Sequence, residues 1–543
     1  MSVFAKKNKR AAAALGAAAV LTLMAAACSS SSSSGASSGS TAGSSAASGS
    51  GTITIGWAQN PDSLDPALTS EQDVAPVDAN IFDTLTWLTP AGAVTPDLAT
   101  SWSISPDGKT YTFHLRGGVK FTDGTPFNAQ AVVANWDFIT AKSTQSTVAL
   151  SLLGPCLTAQ ATSASVVTVS CTAPYAPLLN QLSEPYLGMQ SAAAIQKYGK
   201  NIANHLVGTG AFSLQSYVSN QKIVLVRNPA YTWAPPALGV QGPAKVAKLV
   251  YDIVPSPQSR LESLESGQSQ FIQQVAGIDF EKFKSQYTAL SVPIPGLGFF
   301  STLTTTLAPT NDLAVREAIL YSVNRRSVVQ LADSGAFPPS NAPLLPGMLG
   351  YSPSLAGEYP YDPAKAAQIL EADGWTKVGG VWTKNGKQLS LTIAAFSQLP
   401  EYPLFAQAIQ SSLEANGMKA SVTLEGPSAY INSAAKGEFN ITPTSYVGVD
   451  PSALAVWFQP GGLYSWSKYN STTLANLLNK AQVTDDTSVR AGLYVQAQQL
   501  IMQQALMIPG RPQADLVLMA KNLTGVAYEG GGWELFVGAS LGS

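Results

Sequence analysis

Residues able to do covalent, acid–base or metal chemistry are few in this 543-residue chain. Two histidines, His114 and His205, and three cysteines, Cys28, Cys156 and Cys171, are the whole supply of imidazole and thiol. There is no H-E-x-x-H, the helical pairing that holds zinc in metalloproteases. One G-x-S-x-G occurs, at 35–39. That motif activates a serine only on a strand-to-helix turn, and here it lies in a Ser/Gly/Ala/Thr tract, so it is read as chance. His114 sits on the outward side of a strand pattern, and His205 lies just before Gly208-Thr209-Gly210. Neither has a catalytic setting. No enzyme activity, metal centre or cofactor is expected.

The cysteines divide by place. Cys28 ends a leader: Lys6, Lys7, Lys9 and Arg10 make a positive start, and an Ala/Leu/Val run follows from Ala11 to Ala27. A membrane span needs roughly 20 strongly apolar residues, and this run is shorter and mostly alanine. Residues 29–51 are almost only Ser, Gly, Ala and Thr, a flexible tether that cannot bury enough apolar area to order itself. Cys156 and Cys171 flank an alternating stretch, and in an exported chain they are expected to form a disulfide. Closing so short a loop contributes about 3 kcal/mol in the chain-entropy model.

The bulk composition supports a large folded body. Hydrophobic residues make up 45% and aromatic residues 9%, which excludes global disorder. Only 12% are charged and the net charge is −2, so the basic stripe of a nucleic-acid binder is absent.

The elements that must position any site can be read from periodicity. Ile53, Ile55 and Trp57 alternate as a strand. Pro106-Asp107-Gly108 turns a hairpin whose second strand puts Tyr111, Phe113 and Leu115 on one face. Asn128 suits the N-cap of a helix carrying Val132, Trp136 and Ile139. Asp362-Pro363 opens another helix. LSLTIAAF, a helix with Phe405, Ile409 and Leu413 four apart, and ASVTLE read as a βαβ unit, hence parallel sheet.

The segment LATSWSISPDGKTYTFHLRGGVKFTDGTPFNAQAVV resembles the signature of family 5 extracellular solute-binding proteins, the peptide and nickel binders that serve ABC importers. NPDSLDP, GTGAFSLQSYVSNQKIVLVRNPAYTW, NDLAVREAILYSVNRRSVV, YDPAKAAQILEADGW and MQQALMIPG match in order, from Thr52 to about Trp533. The leader then resembles a lipoprotein signal with Cys28 as lipidated N-terminus, although Ala25 stands where leucine is usual.

The resemblance implies an α/β, two-lobed periplasmic-binding-protein-like (Venus flytrap) fold with an extra inserted domain. Residues 52–82, 205–290 and 506–543 would form lobe 1, 83–204 the inserted domain, and 291–505 lobe 2. Crossings are expected at Pro295-Gly296 and Pro509-Gly510, outside regular elements. The implied role is capture of di- to oligopeptides for a membrane permease, by a monomer anchored to the outer face of the cell membrane.

Site residues carry over by position. Ser70, Glu71 and Gln72 follow the opening Leu-Asp-Pro and would reach the cleft. Tyr446, Val447 and Gly448 fit the strand end that meets ligand; Asp450 is either the anchor for the ligand amine or only a helix cap. Phe299, Phe300 and Trp466 are aromatic candidates for the lining, Trp466 foremost because its neighbours are polar. Arg511 would meet a ligand carboxylate. An oligosaccharide or metal chelate is the alternative ligand, and a non-transport surface receptor the alternative role.

Overall fold

The computed structural model describes residues 51–69, 71–399 and 401–542. The leader, Cys28, the tether before Gly51 and Ser70 lie outside the described residues.

One ten-stranded sheet runs through the body in the order Lys419–Glu425, Ser390–Phe396, Ile441–Val447, Thr288–Leu303, Met507–Met519, Phe271–Ile272, Thr52–Trp57, Lys248–Ile253, Lys222–Arg227, Phe212–Val218. Helices cover it, and two large cores flank its middle, with a smaller third that packs Leu261, Leu264 and Phe280 with Val329 and Phe337. The first contains residues between Ile53 and Val292 together with Val517–Ala539; the second runs from Leu297 to Ile508. This is a two-lobed α/β fold. Only Thr288–Leu303 and Met507–Met519 contribute to both lobes within this sheet, paired antiparallel from Thr288–Met519 to Thr302–Met507.

The crossings differ from the expectation in one respect. Pro295-Gly296 and Pro509-Gly510 lie inside these two strands. The register instead shifts between Ile294 and Phe299, a bulge that accommodates proline and glycine without ending either strand.

Local chemistry explains the remaining elements. The Pro-Asp-Gly hairpin pairs Ala99–Ile104 with Thr110–Leu115, and Tyr111 and Phe113 are fully buried. Asn128 accepts the Ala131 N–H at 3.1 Å, starting the helix Ala129–Thr140. Asp362 does the same for Lys365 at 2.9 Å ahead of Pro363–Ala372. Ser390–Phe396 and Lys419–Glu425 are parallel, joined through the helix Glu401–Ala415. In the Gly-Thr-Gly motif, a Cβ on Gly208 would fall 2.0 Å from the Ile81 carbonyl oxygen, so only glycine permits that approach. The Cys156 and Cys171 sulfurs are bonded, and the Trp136 indole donates to the Cys156 carbonyl at 2.9 Å. Disulfide loop and helix are thereby tied into the first core.

Candidate functional site

A cleft opens beside the bulge, in two adjoining halves of about 520 Å³ and 530 Å³ that share Gln72, Ile294 and Trp533. Both halves draw side chains from both lobes.

Gln72 enters the cleft from the start of the turn Gln72–Val74, and its Nε2 has no partner. Glu71 does not follow it. Its carboxylate folds back to accept the Asp62 N–H at 3.0 Å, and its carbonyl accepts the Tyr186 hydroxyl at 3.2 Å. The loop thus consumes the carboxylate expected to meet ligand.

Tyr446, Val447 and Gly448 line the second half at the end of the strand Ile441–Val447. Asp450 also borders it, but its Oδ1 is bonded to Arg490 Nη2 at 2.7 Å and accepts the Ser452 N–H at 2.8 Å. Its Oδ2 has no partner, but the charge of the carboxylate is already paired with Arg490 inside the lobe. Arg511 is engaged in the same way: its Nε meets Asp333 Oδ2 at 2.7 Å, and its guanidinium lies 5.2 Å and 4.4 Å from the ring centres of Phe299 and Phe337. It borders the first half as a neutralised group.

The aromatic candidates separate. Phe299 touches the first half while packing on Phe405, with ring centres 4.6 Å apart. Phe300 is fully buried against Trp457 and does not line the cleft. Trp466 is a correction: it is 5% exposed, packs 5.0 Å from Trp457 and 5.8 Å from Tyr430, and borders a separate hollow among residues 460–470. Its polar neighbours mislead because Ser467 is itself buried and its carbonyl accepts the Thr305 N–H at 2.8 Å.

Sequence reasoning does not single out four further carboxylates. Glu184, before the turn Pro185–Leu187, is 6% exposed in the second half, and its Oε2 has no partner. Burial pushes its carboxyl up to about 7, with the Trp533 indole pulling the other way. In the first half, Gln274 donates its side-chain amide to Asp73 at 2.9 Å and its backbone N–H to Asp515 at 2.8 Å. Glu534 is 2% exposed and its Oε1 has no partner. Burial first, and then the negative neighbours, raise Asp515 to about 7 and Glu534 to about 8. A usable signal exists: Glu184, Asp515 and Glu534 are isolated acids in apolar runs, QLSEPYLGM, ADLVLMA and GWELFVG.

Among the described residues, the first half is lined by five carboxylates and one guanidinium, the paired Arg511; the second has two carboxylates and no Lys, Arg or His. As these carboxyls ionise, such a lining attracts cations and repels anions.

Two α/β lobes bridged by paired strands, with a polar cleft between them, define a receptor that encloses a solute. The model of the bacterial extracellular solute-binding proteins, family 5 (Middle), matches residues 93–465, and the chain belongs to this family. It is 30% identical over 405 residues to a nickel-binding periplasmic protein of Escherichia coli K12, covering 72% of this chain and 74% of that relative. It is 28% identical over 442 residues to the glutathione-binding protein GsiB of Shigella dysenteriae, covering 79% and 82%. NikA from Brucella suis, solved in complex with Fe(III)-EDTA, shares the fold with a TM-score of 0.78 at 23% identity, covering 91% of this chain and 100% of that one.

Proposed function

We propose that this chain is the exported, lipid-anchored binding component of an ABC importer, and that it captures peptides by their positively charged amine. The observation that carries this reading is Glu184, a buried carboxylate with an unpartnered oxygen in a cleft where, among the described residues, the only lining cation is already paired. An ammonium donates three hydrogen bonds and neutralises such a group. Glutathione, which one relative is named for binding, is itself a tripeptide. A bare metal ion is disfavoured, because among the described residues no group of three or more His, Cys, Asp or Glu could hold one.

We assign 52–82, 205–290 and 506–543 to lobe 1, 83–204 to the inserted domain and 291–505 to lobe 2. The two long strands are the hinge. Ligand that contacts both lobes only when they are closed shifts the population to the closed form, which is the form a permease reads. Binding and release complete that cycle, so no residue of this chain is given a catalytic role. Cys28 holds the body to the outer face of the membrane, and Cys28→Ser should release the protein to the medium.

Calorimetry of the soluble body against di- to pentapeptides and against oligosaccharides tests the ligand class. Peptide binding that disappears on N-acetylation supports the amine anchor. Binding of oligosaccharides alone overturns the peptide reading.

A further inference from the structure

Glu184 serves one positive charge, and the other half of the cleft is built for a second. We propose that Asp73, Asp515 and Glu534 form a second cation subsite, so that the ligand class is a molecule with two cationic groups: a peptide with a lysine- or arginine-type side chain, or an oligoamine. This rests on the reading of Glu184 as the first anchor.

Gln274 arranges the subsite. Its φ of +50° is left-handed backbone, unusual for a residue with a side chain. In that conformation its N–H and its side-chain amide reach two different carboxylates, Asp515 at 2.8 Å and Asp73 at 2.9 Å. Two carboxyls are thereby held within reach of a single residue.

Glu534 approaches the same cavity independently, from the far end of the chain, with an unpartnered Oε1 on a side chain that is 2% exposed. Burying a carboxyl with an unsatisfied oxygen is unfavourable, and a partner arriving with the ligand removes that penalty.

Among the described residues none donates a hydrogen bond to Glu534 Oε1. Arg260 is drawn toward Asp73 and Asp515 electrostatically, but four of its five N–H groups are given to the carbonyls of Val254, Pro255, Gln273 and Gln274. Arg511 is held by Asp333. Gln513, whose Oε1 also lacks a partner, adds a neutral acceptor at the rim, suited to an ammonium or guanidinium that donates in several directions.

The test is calorimetry at pH 8 on the soluble body with three kinds of probe: tri-alanine, tripeptides carrying lysine or the neutral norleucine, which lacks only the terminal ammonium, at each position, and spermidine. At the best position lysine is expected to bind at least tenfold tighter than norleucine, with the ratio falling below threefold in Glu534→Gln and in Asp515→Asn. The wild-type ratio stands even if one variant fails to fold. Equal binding of lysine and norleucine peptides overturns the subsite and leaves the peptide reading intact. Spermidine binding that depends on Glu534, with no peptide binding, keeps the subsite and removes the peptide reading. If none of the probes binds, both fall.

Discussion

Asp450 and Arg490 form a buried ion pair, Oδ1 to Nη2 at 2.7 Å, with side chains 0% and 5% exposed. The same carboxylate caps the turn into the helix Ala453–Phe458, and the same guanidinium donates to the Ala481 carbonyl at 3.0 Å. The pair therefore joins three segments of the second lobe. Removing one partner of a buried pair strands the other charge, at a cost of about 3–5 kcal/mol. Asp450→Asn should lower the urea midpoint accordingly, while peptide affinity of the folded protein stays within about threefold. A large affinity loss with unchanged stability would restore Asp450 as the ligand anchor.

Glu184→Gln should do the reverse. A hydrogen bond to a charged group is worth about 1.5–3 kcal/mol, so affinity for tri-alanine should fall by about tenfold or more, while any residual affinity for N-acetylated tri-alanine should not change. Because the Glu184 carboxyl sits at about 7, binding an ammonium below that pH requires loss of a proton. Peptide affinity should therefore rise with pH up to about 7 and fall again above about 8, where the peptide's own α-amine loses its proton. A flat profile from pH 6 to pH 8 counts against the anchor.

The scaffold was legible where neighbours in sequence are neighbours in space. The alternation of Tyr111, Phe113 and Leu115, the Asn128 cap and the Asp362-Pro363 helix start all follow from local periods and caps. The site was less legible because distant packing decides it. Asp450 meets a partner forty residues away, and Glu71 is turned from the cleft by its own loop. Trp466 lies in a polar run yet inserts into the core, since Ser467 is buried beside it. The acids that face the cleft come from widely separated segments, and nothing local marks them beyond their isolation among apolar residues.

Gly298 sets the path of the bulge where Thr288–Leu303 passes from one lobe to the other. Its φ is +68°, and a Cβ there would lie 2.4 Å from the Arg511 carbonyl oxygen on the paired strand. Gly298→Ala adds left-handed strain on the order of 1–3 kcal/mol, and the clash must also part the two strands. The variant should melt at lower temperature, and small-angle scattering should show a smaller ligand-induced compaction than in wild type. Unchanged melting and unchanged compaction would mean that the bulge bears no part of the hinge motion.

Glu534 gives the unliganded protein a particular pH dependence. Its folded value of about 8 lies above the ordinary 4.5, chiefly because it is buried, with Asp515 and Asp73 adding repulsion. Tyr251 and Tyr528 face it as neutral phenols whose own values are raised. Below about 4.5 the carboxyl is protonated in both folded and unfolded chains. Between 4.5 and 8 the unfolded chain gives up the proton and the folded chain keeps it, so stability falls as pH rises through that window. The loss is on the order of a few kcal/mol, since each tenfold change in proton affinity is worth about 1.4 kcal/mol. Glu534→Gln removes this contribution. The variant should therefore exceed wild type in stability at pH 8, and its advantage should shrink toward pH 5. Asp515 titrates in the same direction in both proteins, so the difference between them reports Glu534 together with its coupling to Asp515. Chemical denaturation of both proteins at the two pH values reads it directly, and an advantage that does not change with pH would mean that Glu534 is ionised and hydrated in the open cleft.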